Sequence, residues 1–588
     1  MNFRNTLRSK AMHSASWFRL RVSALSQSRR AIIIPSLLTV VALMMTLTAV
    51  PGARAAWFAA DSPDSATVTI ADITDFHGHI ERGTDVARAF EIARSHNPGA
   101  MIPVSAGDLV GGSPYDSASQ NDEPTLRMAQ AWGLHISALG NHELDRGVHD
   151  FNERIADPAH GIDWLCANAR KTVKTNRLKD YVIRTVNGRR IAFIGAITDA
   201  LRAVTTPSIM RDITLDEPAV GAINRVADQL SDGNESNGEA DAIVVLLHAD
   251  AEAATKKGVK GLNRNVDLVY AGHSHAVKSG RTAAGAPVIE AGSFGADMAV
   301  QDLTITGYGR HAHVSVNNVD LGNGAEHTSV AGVMSVTGLA AHPKQAAWLS
   351  AGAAGDTAVS QCERIVADAE RAAARKGSQV VGTIAPGSYF GKVTNAESSL
   401  GMLVADAQRE EILQRVPHVN GMQSSIPVVG FSNNGSLRTR NLDANGDGRI
   451  TLREVDSMLA LQFHTAYVTL TGKQLRAALA QQWREHDGRT VVGWLGVSSN
   501  VSYRYVMRDQ STGKHDDDRF VDIVDLTIDG QLIDDDDTVI AAGNSFLLQG
   551  GDRYTAFRLG RDYRELNVGY NQALIDYLEH HPRLESFR

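Results

Sequence analysis

Five short strings, each directly behind an apolar run, hold the side chains that could do chemistry. Asp75-Phe76-His77 follows the run 67–70, and Gly107-Asp108 follows 101–104. Gly140-Asn141-His142-Glu143 follows 136–139, His248 follows 243–247, and Gly272-His273-Ser274-His275 follows 268–270. Asp, His and Asn together suit divalent ions such as zinc, manganese or iron. One shared carboxylate can bridge two such ions, the arrangement that clamps a phosphoryl group during an in-line displacement. A single histidine behind a strand is more often a surface or core residue. Five such strings in succession, each ending an apolar run, point to a metal centre.

The elements around these strings must bring them to one place. Apolar runs alternate with amphipathic stretches such as 85–95 over residues 66–321, which predicts a largely parallel, layered α/β sheet. In open α/β sheets the functional crevice lies outside the carboxyl ends of the strands, where all five strings fall. A Gly/Ala-rich stretch, 322–355, precedes a polar helix predicted over 357–376. Beyond residue 380 the pattern mixes helices (400–416, 472–485) with strands (426–431, 465–469, 522–528, 538–542). The expected organisation is a signal segment over 1–55, a first domain over 62–330, a linker helix region over 331–378 and a second domain over 379–588.

Bulk properties narrow the function. The 588 residues carry a formal net charge of −8, which argues against a nucleic-acid polymer as partner. An anionic small substrate is still compatible, because bound metal ions dominate a local field. Two cysteines, Cys166 and Cys362, exclude a cysteine-ligated zinc site and a disulfide scaffold; Cys166 reads as a buried core thiol, Cys362 opens a helical stretch, and a bridge between them is the less favoured alternative.

The first 55 residues read as a targeting signal. Seven arginines and lysines between Arg4 and Arg30 precede an apolar run, 31–50, interrupted by Pro35, and Ala53-Arg54-Ala55 offers a small-residue cleavage site before Ala56. The alternative is an uncleaved anchor, since the run approaches the ~20 residues that span a bilayer. The expected location is therefore outside the cytoplasm (secreted, periplasmic or at the cell surface), with no stable membrane span after cleavage.

Taken together, the five strings resemble the calcineurin-like metallophosphoesterases. Thr74-Asp75-Phe76-His77-Gly78-His79 and Gly140-Asn141-His142-Glu143-Leu144-Asp145-Arg146-Gly147 resemble the branch containing 5'-nucleotidases, UDP-sugar hydrolases and 2',3'-cyclic phosphodiesterases. The resemblance implies a four-layer α/β/β/α domain followed by an α+β substrate-binding domain that rotates to carry substrate, with a hinge near 357–376. It implies two divalent ions, one held by Asp75, His77, Asp108 and His275, the other by Asp108, Asn141, His248 and His273. Some members have Gln where His275 stands, and imidazole there implies a change of metal preference. It also implies a His142–Asp145 pair, the carboxylate fixing the imidazole tautomer. His79 and Glu143 read as supporting residues.

Three strings beyond residue 380 are similar to the same family's nucleotide-binding domain. Asn433-Asn434-Gly435-Ser436-Leu437-Arg438 places a guanidinium to fork onto phosphate and an amide to bond it or the ribose. Phe463 and Phe546 would sandwich a base, and Asp552, in Gly550-Gly551-Asp552, would bind ribose hydroxyls. Members acting on monophosphates often carry Arg where Ala396 stands, which leaves diphosphate, sugar-linked and 2',3'-cyclic nucleotides open. Asp443, Asn445, Asp447, the Arg449 carbonyl and Glu454 match the twelve-residue calcium loop, although 438–441 does not read as an entering helix. The expected activity is that of an exported dinuclear-metal nucleotide phosphohydrolase. The same scaffold could serve a cyclic phosphodiesterase or UDP-sugar hydrolase, and a catalytically silent nucleotide- or calcium-binding surface protein is the alternative of another class.

Overall fold

Burial on both faces makes the apolar runs strands and decides their neighbours. The computed structural model describes residues 65–206, 209–255, 261–321, 330–337, 357–393, 396–420, 426–486, 489–508 and 520–586. The expected signal segment and most of the Gly/Ala-rich stretch lie outside the described residues. In one sheet, Ser65–Asp72 pairs in parallel with Met101–Val104 and antiparallel with Asp297–Thr306. In a second, Arg189–Ile197, Ala242–His248, Leu268–Ala271 and Pro287–Ala291 run parallel, with Tyr181–Val186 and Val277–Arg281 antiparallel at the two edges. The sheets are therefore mixed: the hairpin-forming edge strands are antiparallel additions that periodicity does not distinguish.

The two sheets face each other across one core, to which Ile70 and Ile305 contribute from the first and Phe193, Leu246 and Tyr270 from the second. Ala219–Gln229 covers the outer face of the second sheet through Ala222, Ile223 and Val226. Gly83–His96 and Glu123–Trp132 supply Phe90 and Trp132 to a further cluster beside the first sheet. This is the four-layer α/β/β/α arrangement. The helix Ala358–Gly377 joins that last cluster, burying Cys362, Ile365 and Ala369. Thr357 caps it by accepting from the Ser360 amide.

The second region has cores of its own. Its sheet runs in the order Leu495–Val497, Val428–Asn433, Thr538–Asn544, His464–Thr471, Arg561–Gly569. Phe431, Val468 and Phe557 lie in one cluster; Leu403, Val455 and Tyr570 lie in another. One expected element differs. The helix read over 472–485 stops at Ala480, and Trp483–His486 instead pairs with Arg489–Val492 as a hairpin. Trp483 packs on Trp494 and Tyr505, with ring centroids 5.7 and 4.4 Å away, partners invisible to helical periodicity. Both cysteines are free and buried. Among the described residues no helix is long and apolar enough to cross a membrane.

Candidate metal centre and substrate cleft

The five strand ends converge. Asp75, His77 and His275 place one ligand atom each within 4.8 Å of one another, and so do Asp108, His248 and His273. The backbone is bent to achieve this. Asp75, His77, Asp108, His273 and His275 all have φ between 47° and 78°. Non-glycine residues rarely enter this left-handed region, and such outliers persist where the surroundings over-determine them.

Tautomers follow from the second ring nitrogen of each imidazole. His77 Nδ1 lies 2.7 Å from the Gly111 carbonyl and must donate to it, so Nε2 keeps its lone pair. That Nε2 lies 3.2 Å from His275 Nε2, 3.6 Å from Asp108 Oδ2 and 4.0 Å from Asp75 Oδ1. His248 Nδ1 donates to the Ala106 carbonyl at 3.0 Å, and its Nε2 faces Asp108 Oδ2 at 3.1 Å and Asn141 Oδ1 at 3.2 Å. Donors around a tetrahedral ion at about 2.1 Å stand about 3.4 Å apart, so these spacings fit two cations that share Asp108.

The electrostatics divide these groups into two sets. Burial raises Asp75 to about 7, with His248 opposing and Asp108 adding to the rise. Burial lowers His248, but Asp108 more than offsets this and lifts it to about 9. Burial and Arg438 press His275 down to about 3, and burial and His248 press His273 to about 4. The latter pair are neutral imidazoles at ordinary pH, the form that binds a metal.

Two buried glutamates hold the ligand loops. Glu143 accepts from the amides of Gly140 at 2.7 Å, Leu109 at 2.7 Å and Asp108 at 3.0 Å, joining two strand ends. Glu290 accepts from Ala251 N at 3.0 Å, Ser274 Oγ at 2.6 Å and Ala276 N at 3.2 Å, joining the loops of His248 and His275. Sequence reasoning gave Glu143 a supporting part and missed Glu290, which stands inside an apolar strand. It also missed Phe294, whose ring lies 5.0 Å from His275 and 5.7 Å from His77. The glycines on either side of the Ser293-Phe294 pair were its signal.

His142 Nδ1 meets Asp145, and its backbone amide donates to Asp108 Oδ1 at 2.9 Å. Arg438 arrives from the second region. Its guanidinium packs over Gly112, its Nη2 is buried without a hydrogen-bond partner among the described residues, and burial lowers its pKa against the pull of Asp108, Asp145 and Asp75. Lys392 donates to the Leu437 carbonyl beside it at 2.8 Å. Asn433 Nδ2 donates to Asp552 Oδ2 at 2.6 Å, while Asn433 Oδ1 accepts from Ser436 and Asn544.

At two of the expected sites the side chains are engaged with one another. Phe463 and Phe546 are parallel within 8° with centroids 5.2 Å apart. A base between them needs two contact gaps of about 3.5 Å, about 7 Å in all, so the rings would have to separate to admit one. In the loop Asp443–Glu454, Asp443 accepts from the amides of Gly446, Asp447 and Gly448, Asp447 from Arg449, and Glu454 caps the helix Leu452–Met458 through Thr451. Among the described residues no helix enters the loop. Asn445 is drawn to Glu454 and not into a shared centre.

Strand order, layers and a pair of imidazole–carboxylate clusters at the strand ends define a metallophosphoesterase-type domain. Residues 68–277 match the family model for calcineurin-like phosphoesterases, and residues 380–558 match that for the 5'-nucleotidase C-terminal domain. The chain belongs to the metallophosphoesterases that carry a 5'-nucleotidase C-terminal domain. It is 25% identical over 566 residues to the cell wall protein Lmo0130 of Listeria monocytogenes, covering 84% of this chain and 65% of that one. It is 28% identical over 271 residues to the endonuclease YhcR of Bacillus subtilis, covering 40% and 22%. The chain thus spans less than two thirds of the length of these curated relatives. A 5'-nucleotidase precursor from Thermus thermophilus shares the fold with TM-score 0.64 and 18% identity, over 89% of this chain and 98% of that one.

Proposed function

We propose that this protein is an exported phosphohydrolase that uses two divalent ions to remove phosphate from nucleotides. One observation carries the reading: Arg438, from the nucleotidase-type region, brings an unpartnered guanidinium nitrogen over the carboxylate–imidazole cluster of the phosphoesterase domain. A buried donor without a partner costs about 1–3 kcal/mol, which a phosphate oxygen would relieve. Asp75, His77, Asp108 and His275 would hold one ion and Asp108, Asn141, His248 and His273 the other. When bound, the pair supplies an activated water and neutralises charge on the phosphoryl oxygens.

The chain's own groups do the rest. Arg438 forks onto the phosphate and fixes it at the lobe seam. His142, oriented by Asp145, donates to the oxygen on which charge develops as the ester bond breaks. Asp108 is itself held by the His142 amide, so the proton donor and the shared carboxylate keep one register. Asn433 and Asp552 offer an amide and a carboxylate to ribose hydroxyls. The base would meet Phe546 and Phe463 only after the rings part. Ala358–Gly377 is packed into the first domain's core, so a hinge motion would be taken up beyond Gly377. Export rests on the basic, apolar and small-residue order of the first 55 residues, and the relative named as a cell wall protein supports it.

The test is phosphate release by the purified protein from AMP, ADP, UDP-glucose, 2',3'-cyclic AMP and a non-nucleotide phosphate ester, with manganese and with EDTA. Manganese-dependent release confined to nucleotides is expected, and the best substrate sets the subclass. No release with any metal would sink the enzyme reading.

A further inference from the structure

Beside the metal cluster, a cleft of ≈ 310 Å³ opens between the lobes. Val204 and His273 line it from the first lobe, and Arg484, Val491, Asp552 and Arg553 from the second. That volume suits part of a small organic ligand and exceeds what one phosphate fills. Arg484 donates to the backbone carbonyl of Asp552, and its guanidinium carbon lies 5.4 Å from the Tyr554 ring centroid. These contacts fix its position, and its charge acts on the Asp552 carboxylate beside it. Among the described residues neither Arg484 nor Arg553 forms an ion pair, and the Asp552 carboxylate is engaged by Asn433. Asp552 and Arg553 are consecutive non-glycine residues with φ of 51° and 65°. Two such residues in succession are rarer than one, and the strain is held at the cleft wall.

In a chain of net charge −8, two guanidinium groups facing one cleft outnumber its single carboxylate, Asp552, and leave a local excess of positive charge. Its position is informative. His273 ties it to the scissile centre, and Asp552 ties it to the ribose end. We propose that this cleft is a second-phosphate subsite, so that nucleotides bearing a phosphate besides the scissile one are preferred over monophosphates. The proposal rests on the nucleotide reading above and deepens it. The second phosphate is either in line with the scissile one, as in a diphosphate, or borne by the ribose.

The test is calorimetric titration of the full chain in EDTA, where nothing is turned over, with AMP, ADP and adenosine 3',5'-bisphosphate. The wild type should bind ADP or the bisphosphate at least about tenfold more tightly than AMP, as expected of charge-assisted bonds. Preference for ADP places the second phosphate in line; preference for the bisphosphate places it on the ribose. Arg553→Gln should cut the ratio to below about threefold, and Arg484→Lys, which keeps charge and loses the fork, should give an intermediate ratio. Three equal affinities in the wild type, no measurable binding of any nucleotide at millimolar concentration, or a ratio unmoved in Arg553→Gln, would overturn it. Should Arg553→Gln not fold, Arg484→Lys and the wild-type ratio decide. An intact ratio without manganese-dependent turnover would instead sink the hydrolase reading and leave the subsite standing.

Discussion

His142 Nδ1 lies 3.0 Å from each carboxylate oxygen of Asp145, one short turn further along the chain. The imidazole therefore donates through Nδ1, and its ring is directed by Asp145 into the group formed with His77 and Asp108. Burial lowers the His142 pKa, but Asp145 and then Asp108 raise it more, for a net rise above the ordinary 6.5.

The first prediction uses that sign. With His142 as proton donor, activity holds below its folded pKa and falls as pH rises through that value. Asp145→Asn removes the largest raising influence, so the alkaline limb of kcat should move to lower pH. The stability from the pair, fully present below 6.5 and lost above the raised pKa, should shrink in the same variant. Profiles of kcat against pH for both proteins check it; superimposable alkaline limbs would count against the role.

Asp108 is shared by both candidate ligand sets, so it should govern both ions. Manganese should raise the thermal midpoint of the wild type, by the equivalent of about 2.7 kcal/mol at a hundredfold excess over Kd. Asp108→Asn should abolish most of that rise and lower kcat by about a hundredfold or more. A calorimetric scan with and without manganese reads the first effect independently of turnover.

Glu143 should matter to stability more than an exposed glutamate does. Glu143→Ala leaves the amides of Gly140, Asp108 and Leu109 buried without their acceptor, at about 1–3 kcal/mol each before relaxation. A loss of about 3 kcal/mol or more in urea unfolding is expected. Glu81→Ala, at a half-exposed site, is the control and should change little. A loss below about 1 kcal/mol for Glu143→Ala would mean that water replaces the carboxylate.

Arg438→Lys keeps the charge and removes the fork. It should reduce kcat/KM by about tenfold to a hundredfold, about 1.4–2.8 kcal/mol of transition-state binding. Steady-state kinetics with the best nucleotide measure it, and an unchanged kcat/KM would remove Arg438 from the phosphate site.

The convergence of the candidate ligand strings was legible because each of these side chains is covalently next to the strand that positions it. An apolar run buried on both faces must be a strand, and its carboxyl end must open at the crevice, so Asp75, Asp108, Asn141, His248 and His273 needed no knowledge of distant partners. His142 and Asp145 were legible for the same reason, being three residues apart. What the chain could not reveal locally was decided by contacts across hundreds of residues. Arg438 comes under the influence of Asp108 because two separately cored regions lie against each other. Phe463 and Phe546 come from separate strings of the second region, and only its folding sets their rings parallel with centroids 5.2 Å apart. Glu290 looked like one polar residue in an apolar strand until its carboxylate found three donors on neighbouring loops. Trp483 left the helix because its ring is worth more packed on Trp494 and Tyr505 than exposed in another turn. Neighbouring residues thus specify the strand ends and the chemistry placed on them, whereas the substrate cleft is made by surfaces that only folding brings together.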